Sequence, residues 1–287
     1  MAAVTGPQVS WTPPPPVEQK RRRRGWLVGV VVGWIVVVAG LATWSVWHSP
    51  ATVPEQRDIA QAVPELQRAA GVVYAAASGD KRVVVLGDLE LIGDCRITPV
   101  RHGFVAARDL TVYVREGDAK NVLDAIADAL PAGYGAGVAE TRGGTRLGLH
   151  ADAGNFIGID TSAEATAKSF TLRLSSGCRP GPESDANQAD PVAGAAPGLL
   201  ATVADGLGPA GTPQVRSVVC PDGGVAASYS VEVPKPGELA RRMQALAAGA
   251  EIVRSDADVW AYRKGSDSVV VAVPSEGKLR VSVSTGC

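Results

Sequence analysis

From Gly25 to Trp47 the chain runs 23 residues without a charge, and crossing the hydrocarbon core of a bilayer takes about 20 apolar residues. The run is apolar on every face, as a helix surrounded by lipid must be. Five consecutive cations, Lys20 to Arg24, stand on its N-terminal side, and the next basic residue beyond it is Arg57. The positive-inside rule therefore predicts one transmembrane helix over 25–47, a cytoplasmic tail over 1–24, and everything after about His48 outside the membrane. Trp26 at one end, with Trp44 and Trp47 at the other, stand where interfacial anchors belong. The competing reading is a cleaved export signal, cut near Gly40-Leu41-Ala42. The retained anchor is preferred because the apolar run exceeds the roughly 7 to 15 residues of a signal's core. Both readings export the same remainder.

Beyond the span, stretches of helical period alternate with short stretches of period two. Helices are predicted near Pro54 to Ala76, after Asp118 (apolar stripe Val122, Leu123, Ile126, Leu130), near Pro197 to Leu207, and after Pro236 (stripe Leu239, Met243, Leu246, ending before Gly249). Strands are predicted near Leu110–Val114, Arg146–His150, Val225–Val233 and Val259–Lys264.

Two segments 109 residues apart match: Phe170-Thr171-Leu172-Arg173-Leu174-Ser175-Ser176-Gly177-Cys178 and Leu279-Arg280-Val281-Ser282-Val283-Ser284-Thr285-Gly286-Cys287. Phe170, Leu172 and Leu174 align with Leu279, Val281 and Val283, so each segment offers one apolar strand face before a Gly-Cys end. The order helix, strand with a cysteine at its end, strand, helix, then three or four strands closing on a second cysteine occurs in both halves. The expectation is an α+β chain: a duplicated module, each copy an antiparallel sheet with two helices on one face, over 48–178 and 197–287. Residues 179–196 between them are polar and rich in turn formers, and read as an exposed linker.

The four cysteines, Cys95, Cys178, Cys220 and Cys287, all fall on the exported side, where disulfides persist. Four cysteines allow three connectivities. Parallelism between the halves favours Cys95 with Cys178 and Cys220 with Cys287, each closure contributing about 4 to 5 kcal/mol by loop entropy.

Charge and composition narrow the function classes. Five of the 28 basic residues and one of the 29 acidic ones lie in 1–48, leaving 23 against 28 in the exported part. That balance excludes an electrostatic case for nucleic acid. The tail is Pro-rich, with Pro13 to Pro16 consecutive, and reads as polyproline II or disorder, while its block Lys20 to Arg24 suits anionic headgroups. Arginine outnumbers lysine 21 to 7 and Ala, Gly and Val dominate, a bias of GC-rich genomes that suggests a bacterial envelope protein.

Local motifs assign no reaction, cofactor or metal. His48, His102 and His150 are the three histidines, without H-E-x-x-H or H-x-H. Neither G-x-S-x-G nor C-x-x-C occurs. Gly133-Tyr134-Gly135-Ala136-Gly137 follows a helix and reads as its terminator instead of a phosphate loop. Asp256 and Asp258 read as a turn, and Trp260 with Tyr262 as one strand face under a helix. The sequence thus points to a membrane-anchored binding or scaffold module for a protein or envelope partner. An extracytoplasmic ligand sensor is the alternative, as is an enzyme using His102 or His150 as base between the modules.

Overall fold

The computed structural model describes residues 22–48, 57–186, 188–275 and 277–287. Residues 1–21 of the tail, with Lys20 and Arg21, and the start of the helix expected near Pro54 lie outside the described residues. Two compact units divide the chain, one ending at Thr52 and one running from Val53 to Cys287.

The first unit contains the helix α1, Arg22–His48. Gly25–Ser45 within it has a mean hydropathy of 2.3 and is wholly exposed, as a candidate membrane span is. Exposed Trp, Leu, Val and Ile on all sides of one helix fit a membrane anchor.

The second unit opens with α2, Ile59–Ala77. Ile59, Val63, Leu66, Ala70, Val73 and Ala77 recur at three and four residues, forming a buried stripe. Each such Ile, Leu or Val contributes about 1.5 to 3 kcal/mol by leaving water. The free N–H of Ile59 donates to the Pro180 carbonyl at 2.8 Å, satisfying a group that the helix itself cannot. At the other end Arg82 donates to the Ala76 and Ser78 carbonyls, at 2.9 and 2.8 Å.

A long hairpin follows, β1 (Val83–Thr98) and β2 (Arg101–Tyr113), then α3 (Ala119–Ala129). The strands β3 (Gly137–Thr141), β4 (Arg146–Asp152), β5 (Gly158–Glu164) and β6 (Ser169–Arg179) complete an antiparallel sheet of order β1-β2-β6-β5-β4-β3. Then come α4 (Gly198–Leu207), β7 (Gln214–Val219), β8 (Val225–Pro234), α5 (Leu239–Leu246), β9 (Glu251–Ser255), β10 (Val259–Lys264), β11 (Asp267–Ser275) and β12 (Lys278–Ser284). The second sheet has the order β7-β8-β12-β11-β10-β9, the same path as the first. Phe170, Leu172 and Leu174 of β6 oppose Val112, Leu110 and Arg108 of β2, and Leu279, Val281 and Val283 of β12 oppose Val233, Val231 and Tyr229 of β8.

One core gathers α2, α3 and the first sheet. Another gathers α4, α5 and the second sheet, including Trp260 and Tyr262, 7% and 0% exposed. Disulfides join Cys95 to Cys178 and Cys220 to Cys287, closing each sheet within its own half. The glycine-rich stretch differs in detail from expectation. Pro131 follows the extended Leu130 and ends α3, and left-handed Gly135 closes a short 3-10 turn after it.

The halves are tied together by side chains. β1 lies against β11, β12, β7 and β8 of the second sheet, and Val83 joins Val253, Ala261 and Val270 in a small shared core. α2 also touches β7, so closely that a Cβ on Gly71 would stand 1.8 Å from the Val219 carbonyl oxygen. Tyr74 of α2 donates to the Thr285 carbonyl at 2.7 Å. Ion pairs cross the junction from Arg115 to Glu251 at 2.9 Å and from Lys168 to Asp256 at 3.4 Å.

The segment between the halves is exposed in part, but it also carries a structural contact. The side chain of Arg108 is wholly buried, and its guanidinium grips Asp190 through two bonds of 2.9 and 2.7 Å. It also donates to the Ser217 carbonyl at 3.3 Å, and Asp190 accepts from the Ser217 N–H at 2.8 Å. A side chain of the first sheet, a carboxylate of the connecting segment and the edge of the second sheet thus meet at one point.

Candidate functional site

The second sheet buries two different faces. Tyr229, Val231, Val281 and Val283 turn toward α4 and α5. The alternate residues Ser228, Ser230, Ser282 and Ser284 turn the other way, and all four are buried. β1 covers part of this hydroxyl face. The Leu86 N–H on the edge of β1 donates to Ser228 Oγ at 2.9 Å, and Ser228 shares a 2.6 Å bond with Ser284. Serines here do what a hydrophobic face cannot, since they satisfy the backbone N–H of an edge strand laid across them.

Beside the register shift of β1 between Leu86 and Leu89 lies a cleft of about 250 Å³. Val85 to Asp88 and Thr111 form one wall, and Ser228, Ser230, Ser282, Arg216 and Arg280 the other. Val270, Ala272 and Pro274 of β11 supply an apolar side. A smaller hollow of about 160 Å³, lined by Glu232, Gln214 and Thr212, shares Ser230 and Arg280 with it.

The charges in the cleft are unequally engaged. Arg216 donates to Asp88 at 2.5 and 3.0 Å, to Ser230 Oγ at 3.0 Å and to Gln214 at 3.0 Å, so four of its five N–H donors are engaged. Its hydrogen bond holds the Asp88 carboxyl below the ordinary range against some desolvation, with further help from Arg108 and Arg280. Glu232 accepts from Lys278 at 3.0 Å, and that contact chiefly lowers its pKa. Arg280 stands 3.6 Å from the same carboxylate, beyond hydrogen-bond reach. Thus two cations share one carboxylate, and the Arg280 donors face the cleft without a hydrogen-bond acceptor among the described residues. The hydroxyls of Ser282 and Thr111 likewise make no hydrogen bond among the described residues, although Ser282 is only 5% exposed.

Neither histidine weighed from the sequence lines this cleft. His150 is on β4, 2.7 Å from Asp160 of β5, and both side chains are well exposed. His102 lies near the tip of the β1–β2 hairpin. Three strand spacings separate β2 from β4, about 14 Å at 4.8 Å each. The two histidines therefore do not share a site, and the His150–Asp160 pair lies on the first sheet alone. Asp256 is engaged by Arg254 at 2.6 Å, the main cause of its lowered pKa, and by Lys168. No group of three or more metal-ligating side chains gathers among the described residues.

Comparison with known proteins adds one likeness. No protein-family model matches the chain, and no curated protein does. The chain is similar to the crystal structure of a DUF4853 family protein from Actinomyces odontolyticus, at 14% identity and a TM-score of 0.33, over 83% of this chain and 98% of that one. A likeness of that size carries no argument about fold or function.

A second concavity lies elsewhere. α2, the connecting segment and the β7–β8 turn enclose a groove of about 860 Å³, lined by Pro64, Val72, Pro191, Val192, Val219 and Pro221 beside Gln67 and Arg68. Val192 is 93% exposed and Val219 47%, so this groove presents large apolar side chains to solvent.

The cleft residues Arg280, Ser282, Thr111, Arg216 and Asp88 were not singled out by sequence reasoning. The signal that marks them is the serine alternation at 228, 230, 282 and 284. A solvent-facing strand usually carries Lys, Glu or Thr, whereas four small hydroxyls on adjacent strands suit a face that another backbone approaches.

Proposed function

We propose that the protein is a single-pass membrane protein of the bacterial cell envelope, with its N-terminus in the cytoplasm, whose exported unit is a ligand-binding module. The observation that carries this reading is the inter-sheet cleft. Its walls come from both halves, its Ser282 and Thr111 hydroxyls make no hydrogen bond among the described residues, and its Arg280 only shares the Glu232 carboxylate with Lys278. Polar groups converging on a concave site are what binding requires. The two halves are read as copies of one duplicated module, each with two helices on one sheet face, supported by the identical strand order and the placement of one disulfide in each.

The test of topology is alkylation of single cysteines in intact cells, introduced at Ser10 and at Thr202. Labelling at 202 and protection at 10 is expected, and the reverse pattern overturns the orientation. The test of binding is a thermal-shift screen on the full-length protein in detergent, repeated with the cleft filled by Ser282→Trp. A ligand that raises the midpoint of the parent but not of the filled variant supports the reading. Equal shifts in both place binding elsewhere.

The apolar groove favours a second reading, a scaffold that docks another envelope protein. A photo-crosslinker at Val192 that captures one defined partner in cells, while one at Thr111 captures none, favours this reading over the first.

A further inference from the structure

Building on the reading of the cleft as a binding site, we infer that its ligand is a small organic carboxylate. The carboxylate is held by the Arg280 guanidinium and by the hydroxyls of Ser282 and Thr111, and its short apolar body rests on Val270, Ala272 and Pro274. Four observations converge on that chemistry. Arg280 can only donate and the Ser282 and Thr111 hydroxyls can donate as well as accept, so a ligand that brings acceptors satisfies all three. The uncompensated charge is positive, because Arg280 and Lys278 share Glu232 while Arg216 and Asp88 neutralise one another. The flat fork of an arginine matches the two oxygens of a carboxylate. The β11 side of the cleft is apolar, which a bare inorganic anion leaves unused and a carboxylic acid with a few carbons fills. The volume of about 250 Å³ lies below that of sites for drug-sized ligands, about 300 Å³ upward, so a small acid fits and a polymer does not.

Size also separates this cleft from the apolar groove. The groove has more than three times the volume, about 860 Å³, and Asp190 at its rim is already engaged by Arg108. In the groove a single cation, Arg68, stands beside apolar side chains, whereas the cleft brings Arg280 together with the hydroxyls of Ser282 and Thr111.

The test titrates the full-length protein in detergent micelles with propionate, with its neutral isostere propionamide and with inorganic phosphate, following the methyl resonances of Val270 and Ala272. Saturable shifts with propionate and none with propionamide at the same concentrations are expected. Arg280→Gln should weaken propionate about 10- to 100-fold, the range for a hydrogen bond to a charged group, and Ser282→Ala about 3- to 10-fold. Ser282→Ala removes no hydrogen bond within the protein, so its thermal midpoint should stay that of the parent. Propionamide binding as tightly as propionate, or Arg280→Gln leaving propionate affinity unchanged, overturns the inference. Phosphate shifting the resonances where propionate does not overturns it as well. In either case, loss of the shifts in Ser282→Trp or Ala272→Leu keeps the cleft as a binding site and removes only the ligand class. If no probe shifts the resonances, the carboxylate falls. If the thermal-shift screen then shows no ligand sensitive to filling the cleft, the binding reading falls with it.

Discussion

Replacing Asp190 by alanine removes the partner of a guanidinium that has no access to water. The Arg108 side chain is 0% exposed and Asp190 is 21% exposed, with two hydrogen bonds between them. Breaking such a pair from one side costs about 3 to 5 kcal/mol, because the remaining charge is buried without compensation. The partial exposure of Asp190 lets water reach the vacated position, so the lower end applies, about 3 kcal/mol. The Ser217 N–H also loses its acceptor. For a folded unit of this size that loss lowers the thermal midpoint by about 6 to 12 °C, readable by calorimetry or by circular dichroism on the full-length protein. Removing both charges, as Arg108→Met with Asp190→Ala, should recover most of the loss, since an apolar side chain of similar volume suits a buried site. Asp190→Ala changing stability by less than about 0.5 kcal/mol would show that the connecting segment does not hold the halves together. A double variant as unstable as the sum of its singles would refute the account based on buried charge.

Other expectations follow from the same contacts. Gly71→Ala drives a methyl group into the Val219 carbonyl, a backbone atom that cannot step aside, and should cost at least the 1 to 3 kcal/mol typical of overpacking; an unchanged urea midpoint would contradict that contact. Cys220→Ser with Cys287→Ser opens a loop of 67 residues and should cost about 4 kcal/mol by loop entropy, measured against the parent under oxidising conditions. Burial raises Tyr74 and Tyr262 to about 12. An acid group with a raised folded pKa keeps its stabilising effect below the unfolded value near 10 and loses it as pH climbs toward 12. Phenolate absorbance should therefore show these two tyrosines ionising only as the protein unfolds, and smooth titration of all five near pH 10 would contradict their burial. Asp88 is lowered chiefly by its hydrogen bond to Arg216, so its contribution is complete above the ordinary carboxylate range near pH 4 and disappears as pH falls through its lower folded value. Asp88→Asn should flatten the acid limb of the stability profile without moving the alkaline limb.

Much of this architecture was legible in the chain. The matched strands ending at Cys178 and Cys287 reflect a period-two pattern with both ends marked, and such patterns survive because one face of each is buried in its own module. The stripe Val122, Leu123 and Ile126 located α3 for the same reason. The length of β1 was hidden, because the strand leaves one environment for another. Its first residues are buried on both faces, Val84 and Leu86 in the core of the first half and Val83 and Val85 in the shared core, and from Asp88 onward its residues alternate between exposed and half-buried up to Ile92. No single period describes both. Arg108 was invisible because an arginine inside an alternating strand reads as its solvent side, and only a distant Asp190 makes its burial tolerable. The serine face misled similarly, since polarity along a strand looks the same whether water or another backbone covers it. Period reports a face, and what lies against it is a tertiary fact.

α2 has a mechanical consequence. It is the first helix of the folded unit after the apolar helix α1, and it contacts β2 and β6 of one sheet and β7 of the other. Both disulfide loops, 95 to 178 and 220 to 287, close downstream of it. Tension transmitted along the chain from α1 therefore reaches a helix that no disulfide secures, held by its apolar stripe, by the Tyr74 bond to Thr285, by the Gln67 bond to Ala189 and by the Ile59 bond to Pro180. Under load α2 is the first element to give way. Peeling it off exposes the seam between two sheets that remain individually stapled.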